Sequence, residues 1–320
     1  MARTLIRKNP SNFKTLPLQV EASPEGLAYK SLGMPLNFSQ TLQRRKPIEL
    51  PDTQRFSVEL ANLGVSVRLT LQWQNREYWV LVRQRRQDRG DVVLKLISGY
   101  VPAHELNLPL HTAIQEVAEE CLLETPEGWL GGRFNDTWLP TPYAAALQYR
   151  ESAPFLLTPA SGAALPVQSA NLTLLERPRA YVHLPTASLQ LIYDLRLQVP
   201  REAKSLSLFH VDERLEGDQL VTRLNRKRPD LYLMPVVDGK PLAELYTLNK
   251  DRLIPASTRG LYLAESFAAQ DGWVVSQERI RWKDWLRQQG LVENKPRSPL
   301  QRLTGKAKAL IKRARTKLRP

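Results

Sequence analysis

GYVPAHELNLPLHTAIQEVAEECLL, residues 99–123, sets a glycine, a lone glutamate and a glutamate-rich segment in one order. At helical spacing, Ile114, Val117, Ala118 and Cys121 recur at i, i+3, i+4 and i+7, which gives one apolar stripe and a helix over Leu110–Leu123. Glu116, Glu119 and Glu120 then fall at i, i+3 and i+4 on a neighbouring face. Three carboxylates so placed repel one another, and a hard divalent cation such as Mg2+ or Mn2+ relieves that repulsion through oxygen ligands, with phosphates and waters completing its shell.

The segments before the helix read as strands. Val65–Trp73 alternates apolar with polar residues, Gln74-Asn75-Arg76 forms a turn, and Glu77–Arg85 returns, so a hairpin is expected. After the polar RRQDRGD, the apolar run Val92–Val101 predicts a third strand that delivers Gly99 and Glu105 to the helix start.

In that context the stretch resembles the Nudix hydrolase signature, a glycine, five residues, a glutamate, a spacer, and then an Arg-Glu-hydrophobic-any-Glu-Glu-any-Gly-hydrophobic run. Gly99 and Glu105 match the first half, and Gln115 to Leu123 parallels the second. Three departures stand out. Nine residues separate Glu105 from Gln115 where the family has seven, Gln115 replaces the arginine, and Leu122 replaces the glycine. The resemblance implies an α+β, α-β-α sandwich with a Nudix-like mixed sheet, enlarged by loop insertions. It also implies Glu116, Glu119 and Glu120 as metal ligands, Glu116 and the outer carboxylate Glu105 as catalytic groups, and a nucleoside diphosphate linked to another moiety as substrate. A catalytically weakened Nudix fold, acting as a nucleotide-binding or scaffold protein, is the alternative that the departures allow.

Net charge is +14 over 320 residues, and its placement is uneven. Residues 295–320 hold ten Lys/Arg and no acid, and residues 1–54 hold eight basic and four acidic residues, so 55–294 is neutral. Three regions follow: an irregular basic N-terminal arm (1–54), a Nudix-like domain with insertions (55–294) and a basic tail (295–320). Leu303, Ala307, Leu310, Ile311, Ala314 and Leu318 form an apolar stripe in the tail, predicting an amphipathic C-terminal helix. Lys306, Lys308, Lys312, Arg313, Arg315 and Lys317 lie around that stripe and are candidates for phosphate neutralisation on a nucleic acid. An anionic membrane surface, a protein partner or a merely solvated end are the competing readings.

The single cysteine, Cys121, excludes an internal disulfide and suits a reducing, cytoplasmic setting, and it falls on the apolar face of the helix. No apolar run reaches the eighteen residues of a membrane span. The basic, acid-poor start of the chain faintly resembles an organelle transit peptide, with a plain cytosolic start the simpler reading. Four histidines show no metal-ligand spacing, although His104 and His111 flank Glu105 and are candidates for proton transfer.

Residues 124–178 are rich in Pro, Gly and Ala and predict long loops, in which Trp129, Trp138 and Tyr143 are stacking candidates for a substrate ring. Ser188–Val199 alternates as a strand, as does Leu231–Val237 up to an Asp238-Gly239 turn. Residues 242–262 show mixed signals, and Ser276–Gln289 predicts a late helix stopped by Gly290.

Overall fold

The computed structural model describes residues 2–8, 13–85, 92–160, 165–217, 219–269 and 272–292. At its centre the strands Asn62–Trp73 and Ser188–Gln198 run parallel, in register from Asn62 opposite Ser188 to Gln72 opposite Gln198. Leu63, Val65, Val67, Leu69 and Leu71 on one strand, and Leu189, Leu191, Tyr193, Leu195 and Leu197 on the other, are all buried in the largest core cluster. That strict period of two lays both strands down with one face inward. A parallel pair cannot close through a hairpin, so the chain between them must cross over, and the crossover carries the helix of the motif.

The hairpin read from the sequence is present. Asn62–Trp73 pairs antiparallel with Arg76–Arg85, and Gln74 and Asn75 take the left-handed backbone (φ 49° and 59°) that matches a two-residue hairpin turn. Arg76–Arg85 also pairs with Leu231–Val237. The third strand breaks at Leu96: Val92–Lys95 pairs with Arg76–Arg85, whereas Ile97–Tyr100 moves across to Asn62–Trp73, with Gly99 opposite Val65.

Among the described residues the architecture is α+β, mostly strands, with three α-helices and a large mixed sheet. Helix α2 (Pro109–Glu120) buries Ala113, Ile114, Val117 and Ala118 in the largest cluster. Helix α3 (Trp282–Gln288) puts Trp282, Trp285 and Leu286 into a second cluster with Leu81, Leu94, Ile192 and Met234. Val80 and Val82 belong to the first cluster and Leu81, between them, to the second, so the sheet carries a core on each face. No helix among the described residues is long and apolar enough to cross a membrane.

Several expectations are corrected. Residues 1–54 are not an irregular arm. Arg3–Lys8 pairs with Gln219–Leu224, and the hairpin Leu18–Ser23/Gly26–Ser31 pairs with Phe56–Leu60, while α1 (Phe38–Arg44) opens on a capping box between Asn37 and Gln40. Leu18, Val20 and Ala22 point inward and Gln19 and Glu21 outward, a strand pattern too short to stand out. Much of 124–178, expected as loops, is strand: Gly128–Phe134 lies parallel to Tyr149–Pro159, and Val167–Ser169 extends the N-terminal sheet. Helix α2 ends at Glu120, because Leu122 and Leu123 are buried in the strand Leu122–Thr125, paired with Ser207–Phe209. The late helix starts at Trp282, as Arg279–Arg281 is a strand. Residues 246–255, left unplaced, form a hairpin through Lys250 and Asp251. The basic tail, with Lys306, Lys308, Lys312, Arg313, Arg315 and Lys317, lies outside the described residues.

Two long-range hydrogen bonds tie the N-terminal sheet to the body. The Tyr29 hydroxyl donates to the Leu106 carbonyl at 2.8 Å, and the Trp273 indole N–H donates to the Ser23 carbonyl at 2.7 Å. Tyr29 is 1% exposed, so Tyr29→Phe leaves the Leu106 carbonyl without that partner; a loss of about 1 kcal/mol is expected by urea denaturation.

Candidate functional site

Helix α2 begins with Pro109 in its first turn, but Leu108 at the N-cap offers no side-chain oxygen. Glu105 supplies the missing negative charge. Its buried carboxylate accepts from the Thr112 hydroxyl at 2.6 Å and lies 2.9 Å from His111 Nδ1, with His104 Nε2 at 3.6 Å. A carboxylate over the first turn also favours the helix dipole. The expected neighbours His104, His111 and Glu105 are thus brought together, at the N-terminal end of the helix.

Further along, Thr112 and Glu116 share one face a turn apart, and Glu119 and Glu120 follow. The Glu116 carboxylate lies directly over Gly99. A Cβ on residue 99 would come 1.8 Å from Glu116 Oε1 and 2.2 Å from Cδ, so any larger residue there would turn the carboxylate aside. The glycine and the glutamate of the motif are therefore one physical unit.

The charges around Glu116 are unevenly answered. Both oxygens of Glu120 are engaged: Oε1 accepts from Lys95 Nζ at 3.2 Å, and Oε2 accepts from the Ser98 N–H at 3.3 Å. Glu119 faces Lys8 at 3.7 Å. Glu116 makes no hydrogen bond among the described residues. Burial raises its carboxyl well above the ordinary range, the charges of Glu120 and Glu119 push it further, and Lys95 opposes them. Glu213, whose Oε1 accepts from Thr222 at 3.3 Å, is also raised, by desolvation and then by Glu119. Four carboxylates thus face two ammonium groups.

Lys95, Lys8, Glu213 and His210 were not singled out from the sequence. Lys95 carried a signal, as the one charged residue inside the apolar run Val92–Val101. Lys8 carried none, since Arg3–Lys8 reaches the site by pairing with the distant Gln219–Leu224, and Glu213 lies in the local hairpin Val211–Glu216/Gln219–Leu224, which that same pairing joins to the first strand. His210 Nδ1 lies 3.2 Å from the Glu120 carbonyl, and burial lowers its pKa, which favours the neutral ring.

The aromatic candidates separate. Trp129 is buried edge-on against Phe209, and Tyr143 is buried with its hydroxyl donating to the Glu119 carbonyl at 3.2 Å, so both anchor the core. Trp138 is 48% exposed, with the Arg133 guanidinium 5.6 Å from its ring centroid. Cys121 is buried, and desolvation pushes its thiol up to about 12, so it packs and does not attack.

The donors of Glu116, Glu119, Glu120 and Glu213 are all carboxylate oxygens, the type that Mg2+ and Mn2+ accept. In their present placement no three His, Cys, Asp or Glu side chains among the described residues are arranged to share an ion. Glu120 is held by Lys95 and Ser98, and Glu119 is turned to Lys8. The donor set fits a divalent cation in its chemistry, while lysines hold two of its members. No family model matches the chain, and no curated protein matches it.

Two outcomes check this geometry. Gly99→Ala turns the flexible Glu116 carboxylate aside and should cost no more than about 1 kcal/mol, a loss that Glu116→Ala in the same background removes in a double-mutant cycle. A carboxyl whose folded pKa is raised holds its proton more tightly folded than unfolded. Its contribution is full below the unfolded carboxyl pKa of about 4.3 and is lost as pH rises through the folded value. Glu116→Gln keeps the neutral form at every pH, so it should exceed the wild type by on the order of 1 kcal/mol at pH 7 and match it near pH 4 in thermal melts.

Proposed function

We propose that the chain is a Nudix-like, metal-dependent hydrolase acting on a nucleoside diphosphate linked to another moiety, or on a related diphosphate. The observation that carries this reading is the seat of Glu116 on Gly99, beside Glu119 and Glu120 on one helix face. The helix on each face of a mixed sheet, with the glycine-bearing strand delivering into α2, supports a Nudix-like sandwich.

Glu116, Glu119 and Glu120 would hold Mg2+ or Mn2+. Bound there, the cation would polarise a phosphoryl oxygen and make a bound water more acidic. Glu116, the third of these carboxylates, would complete the oxygen shell of the ion or orient the attacking water. Glu105, fixed by Thr112 and His111, acts from outside this group by holding the start of α2. A cytoplasmic setting suits the single buried thiol.

A catalytically weakened nucleotide-binding or scaffold protein is the second reading. It is favoured by the engagement of Glu120 and Glu119 with Lys95 and Lys8 and by Gln115 in place of the family arginine. Tethering to nucleic acid by the basic tail would belong to that reading. A panel of nucleoside diphosphate derivatives with Mg2+ and Mn2+ separates the two: product formation supports the hydrolase, and saturable binding without product supports the second. Glu119→Gln should lower turnover by about 100-fold or more with an unchanged melting temperature, and unchanged turnover overturns the hydrolase assignment.

A further inference from the structure

Lys95 is the feature of the site that the Nudix resemblance leaves unused. Its ammonium meets three oxygens: Glu120 Oε1 at 3.2 Å, Ser98 Oγ at 3.1 Å and the Ser98 carbonyl at 3.4 Å. The Lys95 and Glu120 side chains are each only 16% exposed, so this is not a loose surface pair. A carboxylate, a carbonyl and a hydroxyl around a compact charge form the environment that a hard cation also takes. Beside it sits Glu116, with no hydrogen bond among the described residues to relieve it.

We propose that Lys95 is a built-in counter-ion that holds Glu120 and Ser98 while the site is free of metal, and that a divalent cation binds by displacing its ammonium. This rests on reading the carboxylate face as a cation site and adds a regulator to it. The lysine stem is flexible and its charge is a point, so it can withdraw toward solvent as the ion enters. Two like charges cannot share these oxygens, so ammonium and metal exclude each other. The competition weakens the affinity for free metal. A metal that arrives with a diphosphate gains extra oxygens from that ligand, and the pair then outbids the lysine where the ion alone does not. The site would thus stay closed to free cations and open to the metal–diphosphate complex.

Lys95→Met keeps the stem and removes the charge, and Lys95→Arg keeps the charge. Titration of the full chain with Mn2+, followed by loss of the free-ion electron paramagnetic resonance signal, reads affinity without reference to turnover. Lys95→Met should bind Mn2+ about tenfold more tightly than the wild type, a difference of about 1.4 kcal/mol, while Lys95→Arg stays close to the wild type. Equal or weaker binding by Lys95→Met overturns the competition and leaves the cation site standing, whereas no saturable binding by any of the three proteins overturns the cation site itself. A second measurement needs no variant. Reductive methylation of the wild-type chain, mapped by mass spectrometry, should modify Lys95 faster with saturating Mg2+ and ADP than without them, and an unchanged rate overturns the displacement.

Discussion

The parallel pairing of Asn62–Trp73 with Ser188–Gln198 is the constraint on which the remaining structure depends. Each strand offers five large residues to the same buried face, and burying a side chain of this kind contributes roughly 1.5–3 kcal/mol. A slip of either strand by one residue would turn its five away from this core, so the burial pattern holds the register. Once it is fixed, Val65 positions Gly99 across the sheet, Gly99 leaves room for the Glu116 carboxylate, and α2 sets where its glutamates stand.

Electrostatics then works against packing at one place. The apolar stripe of α2 draws the helix onto the sheet, and the same approach sets Glu116 over strand backbone with no hydrogen-bond donor among the described residues. A chain selected only for stability would place a neutral or apolar group there, because a partnerless carboxylate near a sheet is costly. Such conflicts between local stability and local charge collect at working sites.

The parts of the fold that the sequence showed are those with strong local period. The Val65–Trp73 hairpin, the Ser188 strand and the α2 stripe rest on alternation or on i, i+3, i+4 spacing, which one segment displays by itself. What it hid depends on distant partners. Leu18–Ser23 is six residues long and reads as a strand only beside Phe56–Leu60, and Leu122 left the helix because Phe209 offered it a ladder. The site divides in the same way. Its three glutamates were visible from helical spacing, whereas Lys8 comes from Arg3–Lys8, whose partner Gln219–Leu224 lies about two hundred residues on, and that pairing also brings in the hairpin that carries Glu213.

The bond from Trp273 to Ser23 bears on how the chain is made. It spans 250 residues, and it joins the first hairpin of the protein to a segment that leaves the ribosome near the end of the described chain. Contacts of such separation slow folding, since the loop they close must be ordered first. The N-terminal hairpin is soon joined by Phe56–Leu60 but emerges long before Val167–Ser169 and Trp273, which complete its surroundings. Its short strands and the charged Glu21 on its outer face limit pairing with other chains during that interval.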